Sequence, residues 1–79
     1  MESHDRLIVA PAAGVFRPDP ELVGNAGVPI QVGQVVGSLR CGADTVAVES
    51  VFAGTSRDIL AWRGERVRPY QPLVWLEVG

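Results

Sequence analysis

The chain repeats its own turn punctuation, and that repetition narrows the folds open to it. Pro11-Ala12-Ala13-Gly14 is echoed by Val51-Phe52-Ala53-Gly54, which sets Gly14 and Gly54 40 residues apart. Gly27-Val28-Pro29-Ile30 is echoed by Gly64-Glu65-Arg66-Val67, and Gln34-Val35-Val36 by Gln71-Pro72-Leu73, both at a spacing of 37. Neither copy is long enough to bury its own apolar face, so the repeat predicts two pseudo-symmetric sheets closing on one core. With 79 residues there is room for one domain and no second core. Nine glycines and six prolines imply many turns and short strands. No segment sustains apolar residues at i, i+3, i+4 and i+7, the signature of a packed helix. The expected class is all-β.

Taken in order, residues 1–6 read as a flexible N-terminal tail and 7–79 as the domain. Strands are expected over Leu7 to Ala10, Gly27 to Val32, Val35 to Leu39, Thr45 to Val51, Ser56 to Trp62 and Leu73 to Val78, with Ala12-Ala13-Gly14 turning into Val15-Phe16 and a short strand and loop over Arg66 to Tyr70. Arg17 to Ala26 holds two prolines and a glycine and reads as a surface loop. The runs Val35 to Leu39 and Thr45 to Val51 are rich in β-branched residues and enclose Arg40-Cys41-Gly42-Ala43-Asp44. Gly42 then Ala43 suits a type II′ turn, which wants glycine first because φ is positive there. The stretch is expected to be a hairpin with Gly42-Ala43 at its tip.

Composition closes several routes. The net charge of −2 supplies no general field for nucleic acid. All seven basic residues are arginine, and the chain has no lysine. A single cysteine, Cys41, rules out an internal disulfide, so stability rests on packing. No run approaches the ~20 apolar residues that span a bilayer. The mixed, acidic start Met-Glu-Ser-His-Asp-Arg is unlike a signal peptide. A soluble cytoplasmic protein is expected, with no membrane and no nucleic-acid partner.

In the order and spacing of its pieces the chain resembles the biotin/lipoyl attachment domain, and the biotin carboxyl carrier branch more than the lipoyl one. The pieces are Ala10-Pro11-Ala12-Ala13-Gly14, Gly27-Val28-Pro29-Ile30-Gln31-Val32-Gly33, Val51-Phe52-Ala53-Gly54, Asp58-Ile59-Leu60, Gly64-Glu65-Arg66-Val67 and the closing Gln71-Pro72-Leu73-Val74-Trp75-Leu76-Glu77. The resemblance implies a flattened barrel, or sandwich, of two four-stranded sheets with pseudo-twofold symmetry and a hairpin at one end. In that family the hairpin carries Met-Lys-Met, and biotin or lipoate is attached to the lysine. Counting 11 residues back from Gly54, or 10 forward from Gly33, reaches Ala43, flanked by Gly42 and Asp44. Attachment requires a side-chain amine. Alanine has none and no lysine stands elsewhere, so biotinylation and lipoylation are excluded and no cofactor is expected. The loop Arg17 to Ala26 is also shorter than the protruding thumb of bacterial acetyl-CoA carboxylase carriers.

The remaining candidates carry competing readings. Cys41, beside the hairpin tip, is either a thiolate nucleophile able to carry an acyl group or a small apolar residue under the hairpin, and the second is favoured. His4 with Cys41 and a carboxylate falls short of the four ligands of a structural zinc site. Asp58 and Glu77 read as a solvated sheet face before an acid/base pair. Trp62, Phe52, Arg63, Arg66 and Arg40 form the candidate partner-binding set, because tryptophan and arginine are enriched at interface hot spots. Trp62 and Phe52 are expected at exposed turns, and Trp75 in the last strand reads as structural. Two functions follow. One is a non-catalytic accessory subunit that binds a carboxylase-like or other biosynthetic enzyme. The alternative is a repurposed small enzyme or small-molecule binder of secondary metabolism that uses an apolar aromatic pocket, at an oligomer interface or within one chain.

Overall fold

A computed structural model describes residues 4–78. They form eight strands: β1 (Asp5–Val9), β2 (Gly14–Pro18), β3 (Pro29–Ile30), β4 (Val35–Cys41), β5 (Asp44–Glu49), β6 (Gly54–Ile59), β7 (Arg66–Val67) and β8 (Pro72–Glu77). Two four-stranded sheets result, ordered β1-β8-β6-β3 and β5-β4-β2-β7, and every pairing is antiparallel. The expected all-β sandwich is the fold. Adding four to each strand number of one sheet, modulo eight, reproduces the order of the other. This is the pseudo-twofold relation that the sequence repeat announces.

The symmetry extends to the residues. Burial along β8 follows the first six positions of β4, with the second, third and fifth residues inside. Both ladders carry one extra residue at matching places, Val36 on β4 and Leu73 on β8. Gln34 accepts the Gln31 amide through Oε1 at 3.0 Å, and Gln71 accepts the Arg68 amide in the same way at 3.1 Å. The repeated glutamines close equivalent turns. Between the sheets lie Phe16, Val36, Leu39 and Val48 from one side and Ile8, Ile30, Leu73 and Leu76 from the other, all buried. Their alternation with exposed neighbours is the period-2 pattern of half-buried strands.

Several boundaries differ from expectation. Residues 1–3 of the expected tail, and Gly79, lie outside the described residues. Asp5 and Arg6 belong to β1, where they face Glu77 and Leu76, because β8 extends far enough to pair with them. Arg17 and Pro18 continue β2 instead of opening the loop, since Ser38 and Gly37 lie opposite them. Pro18 is tolerated there because β7 pairs only with Gly14 and Val15, so its missing N–H removes no ladder bond on that side. At the other end of the repeat, β6 stops at Ile59, and Leu60 to Trp62 turn the chain toward β7.

Candidate binding site at the hairpin end

The site is built from the β4–β5 hairpin outward. Cys41 pairs with Asp44, leaving Gly42 and Ala43 as the two turn residues. Gly42 has φ +65° and Ala43 is not at positive φ, which is the pattern of a II′ turn. Gly42, Ala43 and Asp44 are all exposed. Beneath the hairpin, Gly14 lies so close to β4 that a Cβ there would stand 2.8 Å from the Arg40 carbonyl oxygen. Cys41 is half-buried against the core, and its thiol donates to the Ala13 carbonyl at 3.1 Å.

On β2, Val15 and Arg17 flank buried Phe16. On β4, Ser38 and Arg40 flank buried Leu39. Cross-strand pairing sets Arg17 beside Ser38, Val15 beside Arg40 and Arg40 beside Thr45. Strand alternation therefore puts these side chains on one outer face. Arg63 reaches the same face from the β6–β7 turn. A cavity of about 390 Å³ results, lined by Arg17, Ser38, Arg40, Ala43, Thr45 and Arg63 among others.

The β6–β7 turn is held by Glu65. Its Oε1 accepts the Trp62 amide at 2.9 Å and its Oε2 accepts the Gln71 side-chain amide at 3.0 Å. This arrangement leaves the Trp62 ring in solvent, 81% exposed. Across from it stands the β2–β3 loop, pinned by Leu22, which is 3% exposed, and turned by Asp19, whose Oδ1 accepts the Glu21 amide at 3.0 Å. Between loop and turn runs a groove of about 740 Å³, walled by Pro18, Pro20, Val23, Ile59, Ala61 and Trp62, with Asp58, Arg17 and Arg63 at its polar margin.

The sequence-derived candidates thus divide. Arg40 and Arg63 meet at Ala43, and Trp62 and Arg63 meet at the groove. Arg66 is exposed on β7 opposite Val15 and borders neither space. Phe52, expected to be exposed, is half-buried and packs on the core, with the Arg6 guanidinium 5.9 Å from its ring centroid. It lines neither space, because the β5–β6 turn sits by Gly54 and Glu77, away from Gly14 and Arg40. Trp75 is half-buried under Arg57 at 5.6 Å. Glu77 pairs with Arg57 at 2.7 Å, and Asp58 accepts the Ile59 amide at 2.8 Å, so each carboxylate has its own local partner. Among the described residues no group of three or more His, Cys, Asp or Glu gathers to hold a metal ion. Arg17, Pro18, Pro20 and Val23 were not foreseeable as site residues, since only cross-strand register and loop packing bring them here.

No protein-family profile matches the chain, and no curated protein matches it by sequence. Solved structures do. A single-chain, multi-domain long-chain acyl-CoA carboxylase superposes over 100% of this chain with a TM-score of 0.81 and 16% identity. The chain has the fold of a small piece of that enzyme. It corresponds to about 8% of the carboxylase's length. Among the described residues, no helix is long and apolar enough to cross a membrane.

Proposed function

We propose that the chain is a carrier-shaped domain without a cargo, acting as a non-catalytic accessory subunit that binds a carboxylase-like or other biosynthetic enzyme. The observation that carries this reading is Ala43, exposed at the tip of the β4–β5 hairpin on a scaffold shared with part of a carboxylase. The fold positions the tip but offers no amine there. What remains for a partner is surface: the hairpin, Arg40, Arg63, Arg66 and the bare ring of Trp62. A stacked or inserted tryptophan is a common interface anchor. Affinity capture from the native cell, followed by mass spectrometry, is expected to recover an enzyme subunit with the wild-type chain and to lose it with Trp62→Ala. Equal recovery with both proteins removes Trp62 from the interface, and recovery of no enzyme at all removes the accessory role.

A second reading, a small-molecule binder, is favoured by one feature, the groove of about 740 Å³ beside Trp62. Its size falls within the range of about 300 to 1,000 Å³ typical of ligand pockets, and its walls are mainly apolar with a few charged groups. It is formed within one chain and uses Trp62, but neither Phe52 nor Trp75.

A further inference from the structure

The cavity at Ala43 and the groove at Trp62 share two lining residues, Arg17 and Arg63. They are neighbours with opposite chemistry. The cavity is lined by Arg17, Arg40 and Arg63 together with Ser38 and Thr45, and among the described residues no Asp or Glu lines it. Among the described residues, none of these three arginines has an ion-pair or side-chain hydrogen-bond partner. Glu65, the acid nearest Arg63 in sequence, has both carboxylate oxygens engaged by Trp62 and Gln71. A chain of net charge −2 has therefore collected cations on one small area. Arginine forks match the paired oxygens of carboxylate and phosphate, and the bonds are charge-assisted. The groove supplies apolar wall, from Pro18 and Pro20 on one side to Ile59 and Trp62 on the other. The one carboxylate bordering it among the described residues, Asp58, already accepts the Ile59 amide.

We propose that groove and cavity form one bipartite site for a small amphiphilic anion, its apolar body against Trp62 and Pro20 and its phosphate or carboxylate head among Arg17, Arg40 and Arg63. The inference rests on the small-molecule reading and names the ligand class. An apolar ligand alone would leave the three cations unmatched. An inorganic anion alone would leave the groove wet. A molecule that joins both properties gains from each half while undergoing a single loss of translational freedom.

The test is a titration of the full ¹⁵N-labelled chain with octyl phosphate, octanoate, 1-octanol and inorganic phosphate, kept below micelle-forming concentrations. The Ala43 and Thr45 amides report the cavity, and the Trp62 indole reports the groove by NMR and fluorescence. At least one of the two anionic amphiphiles is expected to move both sets of signals and to bind about tenfold or more tighter than octanol or phosphate. The tighter of the two identifies the head group. Arg17→Gln and Arg63→Gln are each expected to lower that affinity about tenfold with the spectrum otherwise folded. Arg68→Gln, outside both spaces, leaves it unchanged. If octanol binds as tightly as the anionic amphiphiles and the arginine variants make no difference, the anionic class is wrong while a groove ligand stands. If no probe moves the Trp62 signals, the small-molecule reading fails with it.

Discussion

Tyr70 stands in the second half of the chain where Gly33 stands in the first. Both have positive φ, +67° and +86°, and both amides donate to an equivalent strand end, Tyr70 to the Ala10 carbonyl at 2.8 Å and Gly33 to the Ser50 carbonyl at 2.7 Å. The backbone geometry of the repeat has been kept although the glycine has not. Left-handed backbone is unfavourable for any residue with a Cβ, and the 80%-exposed Tyr70 side chain makes little packing in return.

The two positions should therefore respond in opposite senses. Tyr70→Gly relieves left-handed strain of about 1 kcal/mol, partly offset by the added freedom of glycine in the unfolded chain, so the variant is neutral to about 1 kcal/mol more stable. Gly33→Ala has open space for its Cβ but the wrong φ, and loses about 1 kcal/mol. Equilibrium urea unfolding of both variants decides this. A Gly33→Ala protein as stable as wild type would contradict it.

Gly14 is fixed by a different cause, the close approach of β4. A methyl group there meets the Arg40 carbonyl oxygen at 2.8 Å and the Cys41 sulfur at 3.0 Å, and backbone cannot yield as a side-chain tip does. Gly14→Ala is expected to destabilise by about 2 kcal/mol, as overpacking of a tight site does. Gly54 meets the Glu77 carbonyl in the same way, so Gly54→Ala should show a comparable loss of melting temperature. A shift confined to one of the pair would break the symmetry argument.

Leu22 anchors the loop that makes one wall of the groove. Truncating a side chain only 3% exposed costs about 2 kcal/mol or more. Leu22→Ala is expected to lose that much and to show faster hydrogen exchange at Val23 and Asn25, whose amides bond within the loop to Pro20 and Leu22. Unchanged exchange there would mean that the loop is held by its turns alone.

Cys41 offers a chemical probe of the hairpin base. Its thiol donates to the Ala13 carbonyl and sits half-buried against the core. Alkylation by iodoacetamide, followed by intact mass, is expected to run about tenfold slower in the native chain than in urea. Equal rates would show an accessible thiol and reopen its use as an acyl carrier.

Much of the architecture was legible because it was written twice. The spacings of 40 and 37 residues pair Gly14 with Gly54 at the start of β2 and β6, and Ile30 with Val67 in β3 and β7. The hairpin tip was legible from Gly42, whose turn chemistry is local. The exposure of Trp62 was legible for another reason, the resemblance, since the attachment-domain family usually carries a polar residue at that turn position. The burial of Phe52 was not legible because it depends on distant Arg6 and the core, nor was the strand at Arg17, because proline density hides a pairing that only Ser38 and Gly37 complete. The groove was invisible for a related cause. It exists between Pro20 and Trp62, 42 residues apart, and nothing in either neighbourhood points to the other.

Since β1 meets β8 as β5 meets β4, the hairpin that turns at Ala43 and the seam between the first and last strands are one architectural position used twice. The Val78 amide donates to the His4 carbonyl at 2.6 Å, closing that seam. A polypeptide joined there and opened between Gly42 and Ala43 would thread the same two sheets with β5 leading. Only Gly42 and Ala43 lie beyond the last pair of the β4–β5 ladder, which leaves the tip free to change without disturbing what lies beneath.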